Sequence, residues 1–587
     1  MGGFINNKKV GIFTIYEREW YNMQTFQQFT YERPNMEEIK TKFEQLMQDF
    51  EVAQTKEIQS DVINAWNTLA NHYATQQNLA YVRATIDTTD AFYQAERDFF
   101  DEQGPNFEEM QSIYYKHLVA SKFRTQLEEE WGSQLFDLAQ NAVKAFSPAI
   151  LPLMQRENKL TSAYQKLVAS AQIEFDGQTL TLAQLGPYVE STDRQVREAA
   201  NKARFGFYEQ HQAEFDRIYD ELVKTRDEMA KTLGYQNFVE LGYVRMNRID
   251  YDAAMVKKFR DQVRDEIVPV ATKLYERQAK RIGVDALKYH DEGLSFLTGN
   301  ATPQGDAEWI VENAQKMYHE LSPETAAFFD VMVNQQLMDL VAKKGKEGGG
   351  YCTFIEDYNV PFIFSNFNGT SGDIDVLTHE AGHAFQVYSS RNIGIPEYLW
   401  PTYESCEIHS MSMEFFTWPW MELFFKEQTE KYKFAHLSGA LLFLPYGVAV
   451  DEFQHAVYEN PTMTPAERHA KWKEIEAIYL PHRDYDGVDY LEQGAFWQRQ
   501  QHIYASPFYY IDYTLAQICA FQFWKRSREN FEEAWKDYLH LCGLGGSMSF
   551  TKLVAAANLN SPFEDGTVAG VIDSIETYLN AVEDDKM

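Results

Sequence analysis

Two histidines four residues apart, His379 and His383, restrict this chain more than any other feature. They lie in the run DIDVLTHEAGHAFQVYSS, where Ile374, Leu377, Ala381, Ala384, Phe385 and Tyr388 recur mostly every third or fourth position, the spacing of a helix face. On a helix, side chains four apart are about 40° from each other around the axis and one turn along it. Two imidazoles so placed can share a single metal ion. Glu380 points to the flank, within reach of a water on that ion without being a ligand itself.

This is the HExxH arrangement of zinc metallopeptidases, in which the glutamate is the general base. The other reading of the same residues is a buried helix whose histidines satisfy each other by hydrogen bonds, so the surroundings must decide. A catalytic zinc takes three protein ligands and keeps one position open. A third histidine of the HExxHxxGxxH type is excluded, because Gln386 and Ser389 stand where Gly and His are required. The search moves past the break RNIGIPEYLWP to PTYESCEIHSMSMEFF, a second helix begun by Pro401 and Thr402. Glu404, Glu407 and Glu414 fall on one face of it, and its remaining residues (Cys406, Ile408, Met411, Met413, Phe415, Phe416) are those of a buried helix. Buried carboxylates need a compensating partner, and a zinc ion is a strong one. Glu407 is assigned as third ligand. Either Glu414 or Glu404 is placed to accept a hydrogen bond from a ligating histidine and fix its tautomer; an exposed or ion-paired face is the plain alternative for both.

Bulk properties narrow the classes. The chain has 587 residues, enough for two or more subdomains. Its 87 acidic and 54 basic residues give a net charge of −33, which speaks against a nucleic-acid partner. Four scattered cysteines without a CxxC pair suggest neither a disulfide framework nor a cysteine zinc site. The opening MGGFINNKKVGIFTIYEREW lacks the pattern of a secretory signal. The longest apolar run, Leu437 to Val450, is interrupted by Pro445 and is shorter than the ~20 residues of a spanning helix. A cytoplasmic protein with no membrane partner is expected.

Along the chain, residues 1 to about 175 read as successive helices, as in MEEIKTKFEQLMQDFEVAQTK. IEFDGQTLTLAQL suggests one small hairpin about Asp176-Gly177. A soft boundary falls near Ser191, giving an N-terminal helical region, 1–190, and a peptidase region, 191–587. There Ser191-Thr192-Asp193 cap a long helix running through RQVREAANKARFGFYEQHQAEFDRIYDELVKTRDEMAKTL. Helices are expected again from Tyr251 to about Val341. The Gly348-Gly349-Gly350 run then stops them. Two short strands, Tyr351 to Ile355 and Pro361 to Phe367, lead into the histidine helix. Either an edge strand that pairs with an extended peptide or an ordinary hairpin loop satisfies these residues.

HEAGH followed by ESCEIHSMSME resembles the thimet oligopeptidase and oligoendopeptidase F family of zinc peptidases, whose second helix carries the glutamate ligand in an E-x-x-S-x-x-x-E setting matched by Glu407, Ser410 and Glu414. The resemblance extends through GGYCTFIEDYNVPFIFSNFNGT and LGYQNFVELGYVRMNRIDY and covers roughly residues 190 to 560. It implies a mainly α, two-lobed helical fold with a deep central channel, a small β element beside the HExxH helix, one zinc ion and short peptides as substrates. The family also uses a histidine and tyrosines from a late segment, here QGAFWQRQQHIYASPFYYIDYTLAQICA. His502, Tyr510 and Tyr513 are the best matches. The spacing differs by about one residue from the thimet branch, which leaves Tyr509 and Tyr510 as alternatives.

The expected chemistry is zinc-dependent endopeptidase action. His379, His383 and Glu407 hold zinc, Glu380 is general base and then proton donor to the leaving amine, zinc and Tyr510 or Tyr513 polarise the scissile carbonyl, and His502 binds the peptide backbone or assists the oxyanion. A zinc exopeptidase and a non-catalytic peptide-binding protein on the same scaffold are the alternatives. Oligomeric state is not legible. The run Asp451-Glu452-Phe453-Gln454-His455 imitates a ligand set but lacks a second histidine at helical spacing, and is read as polar packing.

Overall fold

A computed structural model describes residues 24–587. The reading of the first twenty residues as lacking a signal lies outside the described residues, as does the start of the helical succession. Helices make up most of the fold, organised about two hydrophobic cores. The smaller core is built by Met36–Val52, Lys56–Ile86, Ala91–Val119, Arg124–Trp131 and Ser133–Ala145, with Trp66, Phe107, Tyr114 and Phe136 inside it. The larger core holds most of the remaining elements, including both helices of the expected site, and a small third cluster gathers Tyr275, Ala279, Ile282, Leu287 and Leu294.

Specific contacts tie the two cores, which also share the helix Lys56–Ile86. Tyr398 packs into the smaller core, donates to the Trp131 carbonyl at 2.9 Å and accepts from the Leu135 N–H at 2.8 Å. Arg97 and Glu347 form a buried ion pair at 2.8 Å.

The hairpin is present as β1 (Ile173–Phe175) and β2 (Gln178–Leu180), paired antiparallel, with Asp176 and Gly177 both at positive φ. Successive positive-φ residues are what a two-residue hairpin turn requires. Asp193 caps the next helix, its side chain accepting from the Gln195 N–H. The long helix expected beyond it is two, Arg194–Gln210 and Gln212–Thr232, because His211 leaves helical geometry at φ −103° and ψ 9°.

A second sheet stands beside the histidine helix. It consists of β3 (Met338–Val341), β4 (Tyr351–Ile355) and β5 (Val360–Phe367) in the order β3-β5-β4. β4 and β5 are the two expected strands, antiparallel in register Cys352 to Ile363. β3 corrects the expectation of helix up to Val341: it pairs parallel with β5, a long-range pairing that four residues cannot signal locally. Residues 282–306 are also non-helical, against expectation.

The apolar run about Pro445 gives a further correction. It is part of one helix, Thr429–Glu459, that continues through Pro445. Proline inside a helix costs about 3 kcal/mol through its missing N–H and ring clash. Here Leu441, Leu444, Val448 and Phe453 bury the helix on either side of the proline, and that packing offsets the cost. The stretch is long and apolar enough to cross a bilayer by length and composition, yet it is mostly buried within the protein.

Candidate active site and metal centre

The histidine helix is Gly372–Ser390 and the glutamate helix is Tyr403–Phe416. Ile374, Leu377, Ala381, Ala384 and Phe385 are buried and fix the rotation of the first helix, which leaves His379 and His383 together on the opposite side. Gly382, inside the motif, sets the distance between the helices. A β-carbon there would lie 2.6 Å from Ser410 Cα and 2.7 Å from the His409 carbonyl oxygen, so only glycine lets the glutamate helix come this close.

That approach brings Glu407 to the histidines. Its Oε2 is 3.1 Å from His379 Nε2 and 3.3 Å from His383 Nε2, and one donor atom from each residue lies within 4.8 Å of the others. A tetrahedral zinc with ligand distances of ~2.0–2.1 Å has ligand–ligand edges of about 3.3 Å, so the donor set fits such an ion in spacing and in chemistry. Among the described residues this is the one three-residue cluster of metal-binding type.

The orienting partners are equally specific. His379 Nδ1 donates to Glu414 Oε1 at 2.7 Å, which leaves Nε2 with its lone pair facing Glu407. Glu414 Oε2 in turn accepts from His436 Nε2 at 2.7 Å. Glu407 accepts from Ser410 Oγ at 2.9 Å on Oε2 and from the Tyr509 hydroxyl on Oε1. Burial works against ionisation of Glu407, but His383 and His379 hold its carboxyl well below the usual range. Glu404, the other candidate partner, is buried and makes no hydrogen bond to either histidine; burial pushes its carboxyl up to about 7 against the opposing charge of Arg248.

Glu380 is buried, and its Oε2 has no hydrogen-bond partner. Burial raises its carboxyl above the usual range, with both histidines opposing the rise. A buried carboxylate oxygen without a partner, beside three converging donors, is arranged to accept from a group that is not part of the chain.

The late tyrosine segment closes the site. A cavity of about 190 Å³ is lined by Gly350, His379, Glu380, His383, Glu407, His502, Tyr509 and Tyr513, among others. Tyr446 donates to Gln500 Oε1 at 2.9 Å, so Gln500 presents its Nε2 to His502 Nδ1 at 2.8 Å. His502 therefore carries its proton on Nε2, which faces the Tyr513 hydroxyl at 3.1 Å. Burial lowers His502 to about 4, so it is neutral at pH 7. Tyr513 accepts from His502 and keeps its own proton to donate. Tyr510 is placed differently: it lines a neighbouring cavity of about 430 Å³ that it shares with His502, Tyr513 and Glu414. On the other flank, a cavity of about 490 Å³ between the two cores shares His383 and Tyr509 with the site and is lined by Cys352 and Thr353 of β4. Because β4 pairs only with β5, it is the edge strand of its sheet.

Several of these residues carry no motif. His436 lies in the apolar helix Thr429–Glu459, which carries no motif of its own. Gln500 and Tyr446 are joined to His502 only by folding. The Asp451–His455 run is polar packing: Asp451 pairs with Arg260, His455 contacts Tyr243, and Glu452 accepts from Tyr479. The four cysteines are unpaired.

A helical fold with two inward histidines, a glutamate from a second helix and a buried free carboxylate defines the metallopeptidase class. Comparison with known proteins makes it particular. A model described as the Peptidase M3 N-terminal domain matches residues 26–146, and that of Peptidase family M3 matches residues 188–295 and 304–571. The chain belongs to peptidase family M3. It is similar to an oligoendopeptidase F homolog of Borreliella burgdorferi, at 24% identity over 67% of this chain and 69% of that one. It is also similar to the group B oligopeptidase PepB of Streptococcus agalactiae, at 22% identity over 64% and 62% of the two chains. Among solved structures, PZ peptidase A with an inhibitor is 63% identical, with a TM-score of 0.95 over 95% of this chain and all of that one. A structure assigned as an oligoendopeptidase F from Bacillus anthracis is 56% identical, with a TM-score of 0.91 over 96% and 100%. The resemblance to oligoendopeptidase F and the mainly α fold are both borne out.

Proposed function

We propose that this peptidase is a zinc-dependent endopeptidase that hydrolyses internal bonds of short oligopeptides in the cytoplasm. The observation that carries the reading is the pairing of a three-donor cluster, His379, His383 and Glu407, with a buried, unpartnered oxygen on Glu380. His379, His383 and Glu407 would hold the zinc ion, which would supply Lewis acidity to the scissile carbonyl and to a bound water. Glu380 takes the proton from that water, helped by an environment that raises its basicity, and returns it to the leaving amine. Tyr513, relieved of any need to donate to His502, directs its hydroxyl at the carbonyl oxygen as negative charge develops there. Tyr509 and Ser410 hold Glu407, and Glu414 holds His379, so that the donor set keeps its shape through the cycle.

Internal cleavage is supported by the cavities on both flanks of the cluster, one between the cores and one beyond Tyr513. A peptide crossing the site extends in both directions. β4 provides a backbone edge for it, without reading side chains. Unpaired cysteines suit a reducing compartment. The names oligopeptidase and oligoendopeptidase carried by the relatives favour the same substrate class.

The test is hydrolysis of an internally quenched, end-blocked peptide of about nine residues by wild type, Glu380→Gln and metal-stripped protein, with zinc content measured on each. Cleavage by wild type alone, with zinc retained in Glu380→Gln, is the expected result. Zinc without cleavage of the blocked peptide transfers the reading to an exopeptidase or a peptide-binding protein.

A further inference from the structure

The cavities do not end at Tyr510. Another, of about 380 Å³, shares Gly439 and Phe443 with the cavity that holds Tyr510 and Tyr513. Its wall carries Arg204, from the helix Arg194–Gln210, and Arg499, from the 3-10 turn Phe496–Arg499. Among the described residues neither guanidinium has a carboxylate partner or a side-chain hydrogen bond. Arg499 lies 4.9 Å from the centre of the Phe496 ring. The third arginine of the cavity, Arg483, is already neutralised by Glu292 at 2.8 Å and Glu476 at 3.3 Å. Glu190, the acid whose charge reaches Arg204, accepts instead from Asn300 at 2.9 Å.

Arg204 is half-buried and Arg499 is exposed, and neither is committed to one of the chain's 87 acidic residues. Burial, reinforced by the repulsion of Arg499, lowers Arg204 to about 10. Two like charges facing one cavity destabilise each other unless an anion lies between them. Guanidinium groups are the side chains best shaped for a planar carboxylate, which they hold through paired N–H donors.

The helix Thr429–Glu459 runs along both cavities and gives the scale of the separation between them. His436, which supports Glu414 beneath the metal ligands, is at one end, and Gly439, Phe443 and Tyr446 follow along the cavity wall. From His436 to Tyr446 the helix rises about 15 Å. An extended peptide covers that in about four residues.

We propose that Arg204 and Arg499 form a carboxylate subsite, which takes the C-terminal carboxylate or an acidic side chain of a peptide about four residues from the bond being cleaved. The inference rests on the peptidase reading for its choice of a peptide as the ligand. It makes the subsite a determinant of peptide length or acidity, at a distance from the reacting atoms.

The test pairs binding with cleavage. Three fluorescent nine-residue peptides of one sequence are used: free acid, C-terminal amide, and the amide with glutamate at the penultimate position. Their affinities for Glu380→Gln protein are measured by anisotropy, with and without Arg204→Gln and Arg499→Gln together. At least tenfold tighter binding of one carboxylate peptide over the plain amide, collapsing to near unity in the arginine variant, is the expected result. The peptide that gains identifies the source of the carboxylate. Equal affinities for all three peptides, or a preference that survives the double substitution, would falsify the subsite. Thermal unfolding of the double variant separates ligand from structural arginines: an unchanged or raised Tm is expected from relief of repulsion, and a fall of more than a few degrees overturns the assignment. Cleavage of the plain amide by wild type reads the endopeptidase activity independently. If that cleavage is absent while the binding preference holds, the endopeptidase reading fails and the subsite stands.

Discussion

His379 donates from Nδ1 to Glu414, and Glu414 accepts from His436 through its other oxygen, both at 2.7 Å. One carboxylate thus fixes the tautomer of a metal-facing histidine while being anchored from behind. Replacing Glu414 by Gln keeps the shape but substitutes an amide for one acceptor oxygen. Zinc affinity is expected to fall about 10- to 100-fold, as for other supporting partners of ligand histidines. Competition with a chromophoric chelator measures it; an unchanged affinity would show that His379 is oriented by packing alone.

Gly382→Ala should be costly out of proportion to its one added carbon. The new atom meets backbone at 2.6 and 2.7 Å, which cannot yield as the end of a side chain would. Overpacking of this kind costs about 1–3 kcal/mol. The helices must move apart, and Glu407 goes with its helix. A lowered Tm together with weaker zinc binding is expected, whereas Ala381 on the buried face tolerates Ala381→Gly with a loss of stability only.

The tyrosines separate by role. Tyr513→Phe removes a donor aimed at the reacting oxygen, and kcat should fall about 10²- to 10³-fold with KM little changed. Tyr510→Phe, in the adjoining cavity, should act mainly on KM. Steady-state kinetics with the quenched peptide distinguishes the two, and exchange of these outcomes would reassign the oxyanion donor to Tyr510.

His502 has its own pH signature. Its pKa is lowered to about 4, chiefly by burial, so it is neutral throughout the range near neutrality. An acid limb of kcat/KM between pH 5 and 7 therefore belongs to other groups and should keep its midpoint in His502→Gln, while the plateau drops. Disappearance of that limb in the variant would mean that His502 acts as a protonated imidazolium.

A buried carboxylate away from the site contributes to acid stability. Glu157 pairs with Arg226 at 2.6 Å and Arg245 at 2.9 Å, and against the effect of burial these cations lower it from 4.5 to about 2. A group whose folded pKa is depressed stabilises fully above its unfolded value, and that contribution disappears as pH falls through the folded one. Glu157→Gln should cost about 3–5 kcal/mol at pH 7, because Arg226 is left buried without its partner. Its difference from wild type should narrow between pH 4.5 and 2. Denaturant midpoints across that range test the sign, and a gap that widens towards acid would refute it.

The parts of the fold with local, periodic signals were readable from the chain. The histidine and glutamate helices, the Asp176-Gly177 hairpin and strands β4 and β5 all stand where apolar spacing and turn residues put them. What escaped has a common cause. β3 exists only through parallel pairing with distant β5. The helix through Pro445 depends on burial that overrides local propensity. The break at His211 falls where no glycine or proline marks it in the sequence. In the site, the residue types and the two-helix spacing pointed to His379, Glu380, His383 and Glu407. The contacts of Tyr446, Gln500 and His436 form across separate elements, and no spacing in one segment encodes them. Gly382 occupies a position that the motif writes as any residue, yet helix contact makes it specific.

The outer side of β4 imposes a condition on whatever lies along it. Its C-terminal part is covered, since Asn78 donates to the Phe354 carbonyl at 2.9 Å, while Cys352 and Thr353 face the cavity between the cores. Only a stretch of backbone whose own N–H and C=O groups are free can pair there. A segment already committed to a helix or an internal sheet has none to offer. On the proposed reading, the strand would sort chains by what they lack, a fold of their own, before any side chain is inspected.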